Sequence, residues 1–245
     1  MKVCDFVAVD IETTGVAVTR DKIIEIGAVK IVDGKVVEEF SELVDPGVLI
    51  PPLITDLTGI TQEDVDGKRN INDVMVDFVE FIEDYPLLGH NITFDYSFLK
   101  QNAANASLNI ENLVIDTVKI SRKRYPHLES RRLNHLSKYL GVELENHHRA
   151  FDDAKAAGMI YLKMADEQNG LCDYQSASDD EKAFAPYVYA YKPKKQSPIT
   201  NAQKKYLIDL CNMHGIEMDF DVETLSKSEA SRKIDKILSQ YGRKW

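Results

Sequence analysis

The chain reads as an α/β protein on a mixed five-stranded sheet, followed by a small C-terminal helical module. Three observations lead there. Three strand-like segments open the sequence, two of them joined by a two-residue turn. Short strands then alternate with helices to about residue 166. From residue 199 the pattern is wholly helical, with two capped helix starts.

Each element has its own signal. Val3 to Ile11 is rich in Val, Ile and Phe and reads as a buried strand. Ile23 to Val32 and Val36 to Val44 flank Asp33-Gly34, a two-residue hairpin turn. A loop containing Pro46, Pro51 and Pro52 follows. Asn72 is the expected N-cap of a helix with Val74, Phe78, Phe81 and Ile82 on its apolar side. Pro86 to Gly89 is a short strand, Phe94 to Ala106 a helix, and Leu113 to Thr117 another short strand. Leu133 to Leu140 is a helix stopped by Gly141, and Ala150 to Asp166 a long final helix.

The pattern then breaks. Residues 168–198 carry Asn169-Gly170, Ser176, Ser178 and Asp179-Asp180-Glu181, and read as a linker or extension. Tyr187, Tyr189 and Tyr191 run into Lys192, Lys194 and Lys195. Aromatics beside lysines can stack bases and neutralise phosphates; a strand packed on the main domain is the favoured alternative. In residues 199–245, Thr200-x-x-Gln203 and Ser226-x-x-Glu229 are capping boxes that start two short amphipathic helices. The expected organisation is a domain at 1–167, an extension at 168–198 and a helical module at 199–245.

Composition narrows the function. The net charge of −10 argues against broad attraction to nucleic acid. The balance is uneven: residues 1–191 carry −14 and residues 192–245 carry +4. The tail is therefore the part suited to a polyanion. One basic island (Arg122, Lys123, Arg124, His127, Arg131, Arg132) lies in the acidic part, as a solvated loop or a phosphate contact. Cys4, Cys172 and Cys211 lack metal-ligand spacing and read as reduced thiols of a cytoplasmic protein. The N-terminal residues do not form a signal peptide, and no apolar stretch is long enough to span a bilayer.

The chemistry-bearing residues are Asp10, Glu12, Asp95, His148 and Asp153. Asp10 and Glu12 lie two apart at the end of the first strand, so they project from one face. Asp95 falls in the first turn of its helix and shares a face with Phe98, Leu99 and Asn102, so it points inward. Asp153 aligns with Ala157, Ile160 and Met164, the buried stripe of the last helix. Asp152 aligns with the more polar Lys155, Ala156, Met159 and Lys163. His148 sits on the loop before that helix, with His147 as its rival. Alone, each acid has an ordinary explanation. Together, inward acids at strand and helix ends point to a shared site for hard divalent cations, since gathered carboxylates repel unless a cation holds them. Paired metals suit cleavage of phosphate esters.

The motifs Asp10-Ile-Glu-Thr-Thr-Gly15, Leu57-Thr-Gly-Ile-Thr61, His90-Asn-Ile-Thr-Phe-Asp95 and His148-Arg-Ala-Phe-Asp-Asp-Ala154 occur in order. On these the chain resembles the DEDDh family of 3′–5′ exonucleases, over roughly residues 1–167. The resemblance implies a ribonuclease-H-like fold. It implies that Asp10, Glu12, Asp95 and Asp153 hold two Mg²⁺ or Mn²⁺ ions, that His148 is the general base, and that Thr14, Ile60, Asn91 and Phe94 lie against the terminal nucleotide. Ile60 and Phe94 also fit as apolar contacts for a base or sugar. The expected partners are single-stranded DNA or RNA 3′ ends, with a DNA polymerase or other replication or repair proteins as possible protein partners, and no membrane. Alternative readings are a nuclease acting on RNA or small oligonucleotides, and a non-catalytic nucleic-acid-binding protein.

Overall fold

A computed structural model describes residues 5–144, 147–166, 181–194, 197–218 and 220–242. Three antiparallel strands come first: β1 (Phe6–Thr13), β2 (Ile23–Val32) and β3 (Lys35–Leu43). Asp33 and Gly34 both take positive φ (49° and 74°), as the mirror-image hairpin turn demands. Three helices follow: α1 (Pro52–Thr58), α2 (Gln62–Val65) and α3 (Ile71–Ile82). Next come β4 (Leu87–Gly89), α4 (Thr93–Asn105), β5 (Val114–Asp116), α5 (Thr117–Arg124), α6 (Leu133–Leu140) and α7 (Ala150–Asp166). The sheet order is β3-β2-β1-β4-β5, with β4 parallel to both β1 and β5.

Alternation along β1 splits the core into two layers. Phe6 and Ala8 face α7 and α6, packing with Leu136, Ala157, Ile160 and Tyr161. Val7, Val9 and Ile11 face α3 and α4, packing with Val74, Phe78, Phe98 and Leu99. Asp10 and Glu12 continue the row of Phe6 and Ala8, so they point toward the α7 side. β2 is buried on both faces.

Several details differ from the sequence reading. The N-cap of α3 is Asn70, whose side chain accepts from the Asn72 and Asp73 amides, and Asn72 lies inside the first turn. The Pro46–Pro52 loop ends in a helix, because Pro52 stands at a helix start, where its missing N–H costs nothing. The basic island divides. Arg122, Lys123 and Arg124 form the last turn of α5, where cations complement the helix dipole. Arg131 donates to the carbonyls of Tyr125 and Pro126.

Tyr187, Tyr189 and Tyr191 pack on the main domain, through one β-bridge rather than a strand. Tyr187 exchanges backbone hydrogen bonds with Val114, the Tyr189 ring meets Tyr96, and the Tyr191 hydroxyl donates to Gln101. The Asn169–Asp180 stretch, Cys4 and Cys172 lie outside the described residues, while Cys211 is buried.

α8 (Asn201–His214) and α9 (Lys227–Tyr241) both start with the expected capping boxes and share a separate core of Leu207, Leu210, Leu225, Ile234 and Ile237. This unit touches the main domain through a Lys22–Glu229 ion pair at 2.8 Å and a bridge between Val48 and Phe220. Among the described residues, no helix is long and apolar enough to cross a membrane.

Candidate active site

The carboxyl-terminal end of β1 is where the acids meet. Carboxylate oxygens of Asp10, Glu12 and Asp153 lie within 4.8 Å of one another. Asp153 arrives from the first turn of α7 and is buried, on the face the periodicity of that helix assigned to it. Asp95 approaches from α4. Its Oδ1 accepts the Ile11 amide at 3.2 Å, which fastens it between the two strand acids. Asp95 is also buried.

The electrostatics are those of buried acids crowded together. Burial, reinforced by Asp95, Asp153, Glu12 and Glu25, holds the Asp10 carboxyl well above the usual carboxylate range. Glu12 is pushed up to about 8, first by burial and then by Asp153, Glu25 and Asp95. Asp95 is also pushed up to about 8, mainly by burial, against hydrogen bonds from its own and the Ile11 amide. Burial raises Asp153 too, opposed by His147. An all-oxygen donor set with such suppressed ionisation fits a hard divalent ion, whose charge would restore the ionised forms.

The histidine loop lies on top. His147 Nδ1 sits 3.1 and 3.2 Å from the two Asp153 oxygens, and the His148 amide donates to Asp153 Oδ2 at 3.1 Å. The two rings stack with centroids 3.9 Å apart. Ring nitrogens of both lie within 4.8 Å of the Asp153 carboxylate and of each other. His148 takes φ +72°, in the left-handed region that few non-glycine residues occupy. Burial, with His147 alongside, pulls its ring below the usual histidine range.

The residues expected against a nucleotide differ in exposure. Asn91 is exposed at φ +76°, its amide bound to the buried Asp116 carboxylate. Phe94 is half-buried against Phe98, ring centroids 5.0 Å apart. The Thr14 hydroxyl accepts the Lys22 amide and closes the loop after β1. Ile60 is only 2% exposed and packs with Ile24, Ile50 and Val65, so its side chain serves a small core rather than an open surface. In the same motif, Leu57 is the exposed apolar side chain, at 50%.

Two further residues at the site escaped the sequence reading. Glu25 of β2 lies directly opposite Glu12 in the register and is 1% exposed. It accepts Arg149 Nη2 at 2.6 Å, Arg149 Nε at 3.1 Å and the Ala150 amide at 2.9 Å. An acid inside the apolar run Ile23-Ile24-Glu25-Ile26 was the available signal, since charged residues are seldom fully buried unless paired.

Residues 7–161 match the family described as Exonuclease, RNase T type. The chain belongs to that exonuclease family. That match, with the relatives below, supports a DEDDh-type 3′–5′ exonuclease, and the five-stranded sheet is the ribonuclease-H-like one. A DNA polymerase III PolC-type of Clostridium perfringens is 47% identical over 169 residues, covering 67% of this chain and 12% of that protein. Its counterpart from Lacticaseibacillus paracasei is 37% identical over 244 residues, 96% of this chain and 17% of that protein. The chain thus spans under a fifth of the length of these relatives. Among solved structures, zinc-bound E. coli exonuclease I with single-stranded DNA superposes with a TM-score of 0.60 at 22% identity, covering 67% of this chain and 41% of that one. Exonuclease X with 5′-overhanging duplex DNA gives 0.54 at 24%, covering 72% and 99%. At those identities the likeness concerns the fold.

Proposed function

We propose that this chain is a metal-dependent 3′–5′ exonuclease that hydrolyses single-stranded nucleic acid, DNA in preference to RNA, and releases nucleoside 5′-monophosphates. The observation that carries the reading is the meeting of Asp10, Glu12 and Asp153 oxygens within 4.8 Å, with Asp95 fastened to Ile11 between them. Asp10, Glu12, Asp95 and Asp153 would hold two Mg²⁺ or Mn²⁺ ions. Bound there, such ions would acidify a water and offset the charge on the departing 3′ oxygen. His148 supplies the base. Burial pulls its ring below the usual histidine range, which favours the neutral form that can take the proton of the attacking water. The exposed Asn91 and the half-buried Phe94 would meet the terminal nucleotide, with Thr14 shaping the loop beside it. Leu57 takes the apolar role that the buried Ile60 leaves open.

The preference for DNA draws on the relatives, which are named as DNA polymerases, and on a neighbour solved with single-stranded DNA. A DNA polymerase is accordingly the proposed protein partner, and the basic tail a second contact to the strand. The deciding experiment uses matched DNA and RNA strands labelled at the 5′ or the 3′ end, with Mg²⁺. The 3′ label should leave at once as mononucleotide, while the 5′ label passes through a descending ladder. Mononucleotide from the 5′ label at the outset would refute the direction, and faster RNA decay would refute the substrate. Deleting residues 199–245 should weaken binding and flatten its salt dependence with turnover intact. An unchanged salt slope would assign the module to a protein contact instead.

A further inference from the structure

We propose that Glu25 and Arg149 are positioning residues of the reaction: their ion pair pins the His148 loop and the start of α7 over the carboxylate cluster. The inference rests on the exonuclease reading of that cluster. Four facts converge. Arg149 directly follows His148 and directly precedes α7, which carries Asp153 in its first turn. Its guanidinium reaches across to β2 and meets Glu25 through both Nε and Nη2, a two-point contact that fixes orientation as well as distance. The same carboxylate accepts the Ala150 amide, so the α7 N-terminus is capped from the sheet. His148 holds φ +72°, a conformation that persists where the surroundings impose it.

Placement argues for a role beyond holding the fold. Glu25 stands opposite Glu12, so a fifth carboxylate has been added to a site already crowded with acids. Like charges directly opposite on a sheet are unfavourable. Among the described contacts, Arg149 is the cation that meets Glu25. A buried ion pair is a poor source of stability compared with apolar packing. What this pair does supply is a fixed tie between β1's acids, through β2, and the loop bearing the base. Without it, the link from that loop to the acids is through Asp153 itself, by His147 Nδ1 and the His148 amide.

The test compares Arg149→Ala, Arg149→Lys and Glu25→Gln with the wild-type full-length chain. Turnover on single-stranded DNA with Mn²⁺, Mn²⁺ affinity, and amide exchange of the metal-free protein are measured together. Misplacement of a catalytic group by about 1 Å costs up to roughly 10²-fold in rate. Arg149→Ala should therefore lose about 10- to 100-fold in kcat, with KM and Mn²⁺ affinity within about twofold. Guanidinium ion in solution should restore part of that loss, because the Arg149 side chain is 45% exposed and leaves an open socket. Arg149→Lys, which cannot make the two-point contact, should be intermediate and serves if the alanine variant does not fold. In metal-free protein, the His148 and Ala150 amides should lose protection while the β1–β2 ladder keeps its own. A folded Arg149→Ala with wild-type kcat would overturn the proposal, as would a kcat loss accompanied by uniform loss of protection and no guanidinium rescue. If the wild type itself releases no nucleotide, the exonuclease reading fails, and the exchange pattern still decides whether the tie holds the loop.

Discussion

A methyl group at position 27 is a stringent probe of how the site is assembled. Gly27 lies on β2, two residues from Glu25, where the start of α7 crosses the sheet. A Cβ built there would stand 2.1 Å from the Phe151 amide nitrogen, 2.2 Å from the Ala150 carbonyl carbon and 2.4 Å from Phe151 Cα. Ordinary contact begins near 3.4 Å, so α7 must retreat by about 1.3 Å. All three atoms are backbone, and no rotamer change can relieve the clash. Overpacking of this kind costs about 1–3 kcal/mol. Loss of the Ala150–Glu25 hydrogen bond would leave a buried acceptor short, adding about 1–3 kcal/mol. Gly27→Ala should therefore lower the melting temperature by roughly 10 °C in a chain of this size. It should also move Asp153 and His148 far enough to cut kcat by up to about 10²-fold. Gly158→Ala is the matched control on the same helix. Its Cβ would meet Ile31 Cδ1 at 3.0 Å, a side-chain end that can rotate away, and Ala8 Cβ at 3.2 Å, which is fixed to β1 and asks for a shift of a few tenths of an ångström. The helix gains about 1 kcal/mol from alanine, so little net change is expected. Calorimetry and steady-state kinetics on both variants read the difference. Gly27→Ala with wild-type melting and turnover would refute the close crossing on which the site depends.

Other perturbations test the remaining parts. Asp153→Asn should abolish turnover, losing at least about 10³-fold, whereas Asp152→Asn should stay within about threefold. The opposite result would move the ligand by one residue around α7. In chelated protein, the acid cluster should make stability fall as pH rises from 5 to 8. Glu12 moves from 4.5 to about 8 on folding, so the folded state keeps a proton that the unfolded state has lost. The slope is about 1.4 kcal/mol per pH unit for each such proton. Urea denaturation at pH 5 to 8 should show the decline, and a flat profile would contradict it. With metal saturating, kcat should rise with pH through a limb at or below the ordinary histidine value, because burial holds the His148 ring down. His148→Ala should remove that limb while keeping Mn²⁺ affinity. A limb that survives the substitution would pass the role of base to another group, with His147 the first candidate.

Much of this was legible in the residues because local rules agreed with the tertiary outcome. Asp33-Gly34 specifies its hairpin without help from elsewhere, and both residues take the left-handed values the turn needs. The stripe Asp153, Ala157, Ile160, Met164 separated Asp153 from Asp152 because one face of α7 is buried along its length. Both capping boxes formed as read. The misses have physical causes. Asn70 and Asn72 are equally good caps by type, and residue type alone does not say which of them the helix starts from. Ile60 and Leu57 are both apolar, and sequence does not reveal which faces a core of Ile24, Ile50 and Val65. The role of Glu25 depends on a partner 124 residues away, which no local period encodes.

If a bound cation is what lets these acids ionise together, its binding must displace protons. Calorimetric titration of chelated protein with Mn²⁺ near pH 6.5, repeated in buffers of different ionisation enthalpy, tests it most directly. Glu12 and Asp95 are protonated there, with both carboxyls pushed up to about 8, so binding should expel about one proton or more. Asp153→Asn should weaken binding by at least about tenfold. Absence of saturable binding, or binding without proton release, would contradict the account.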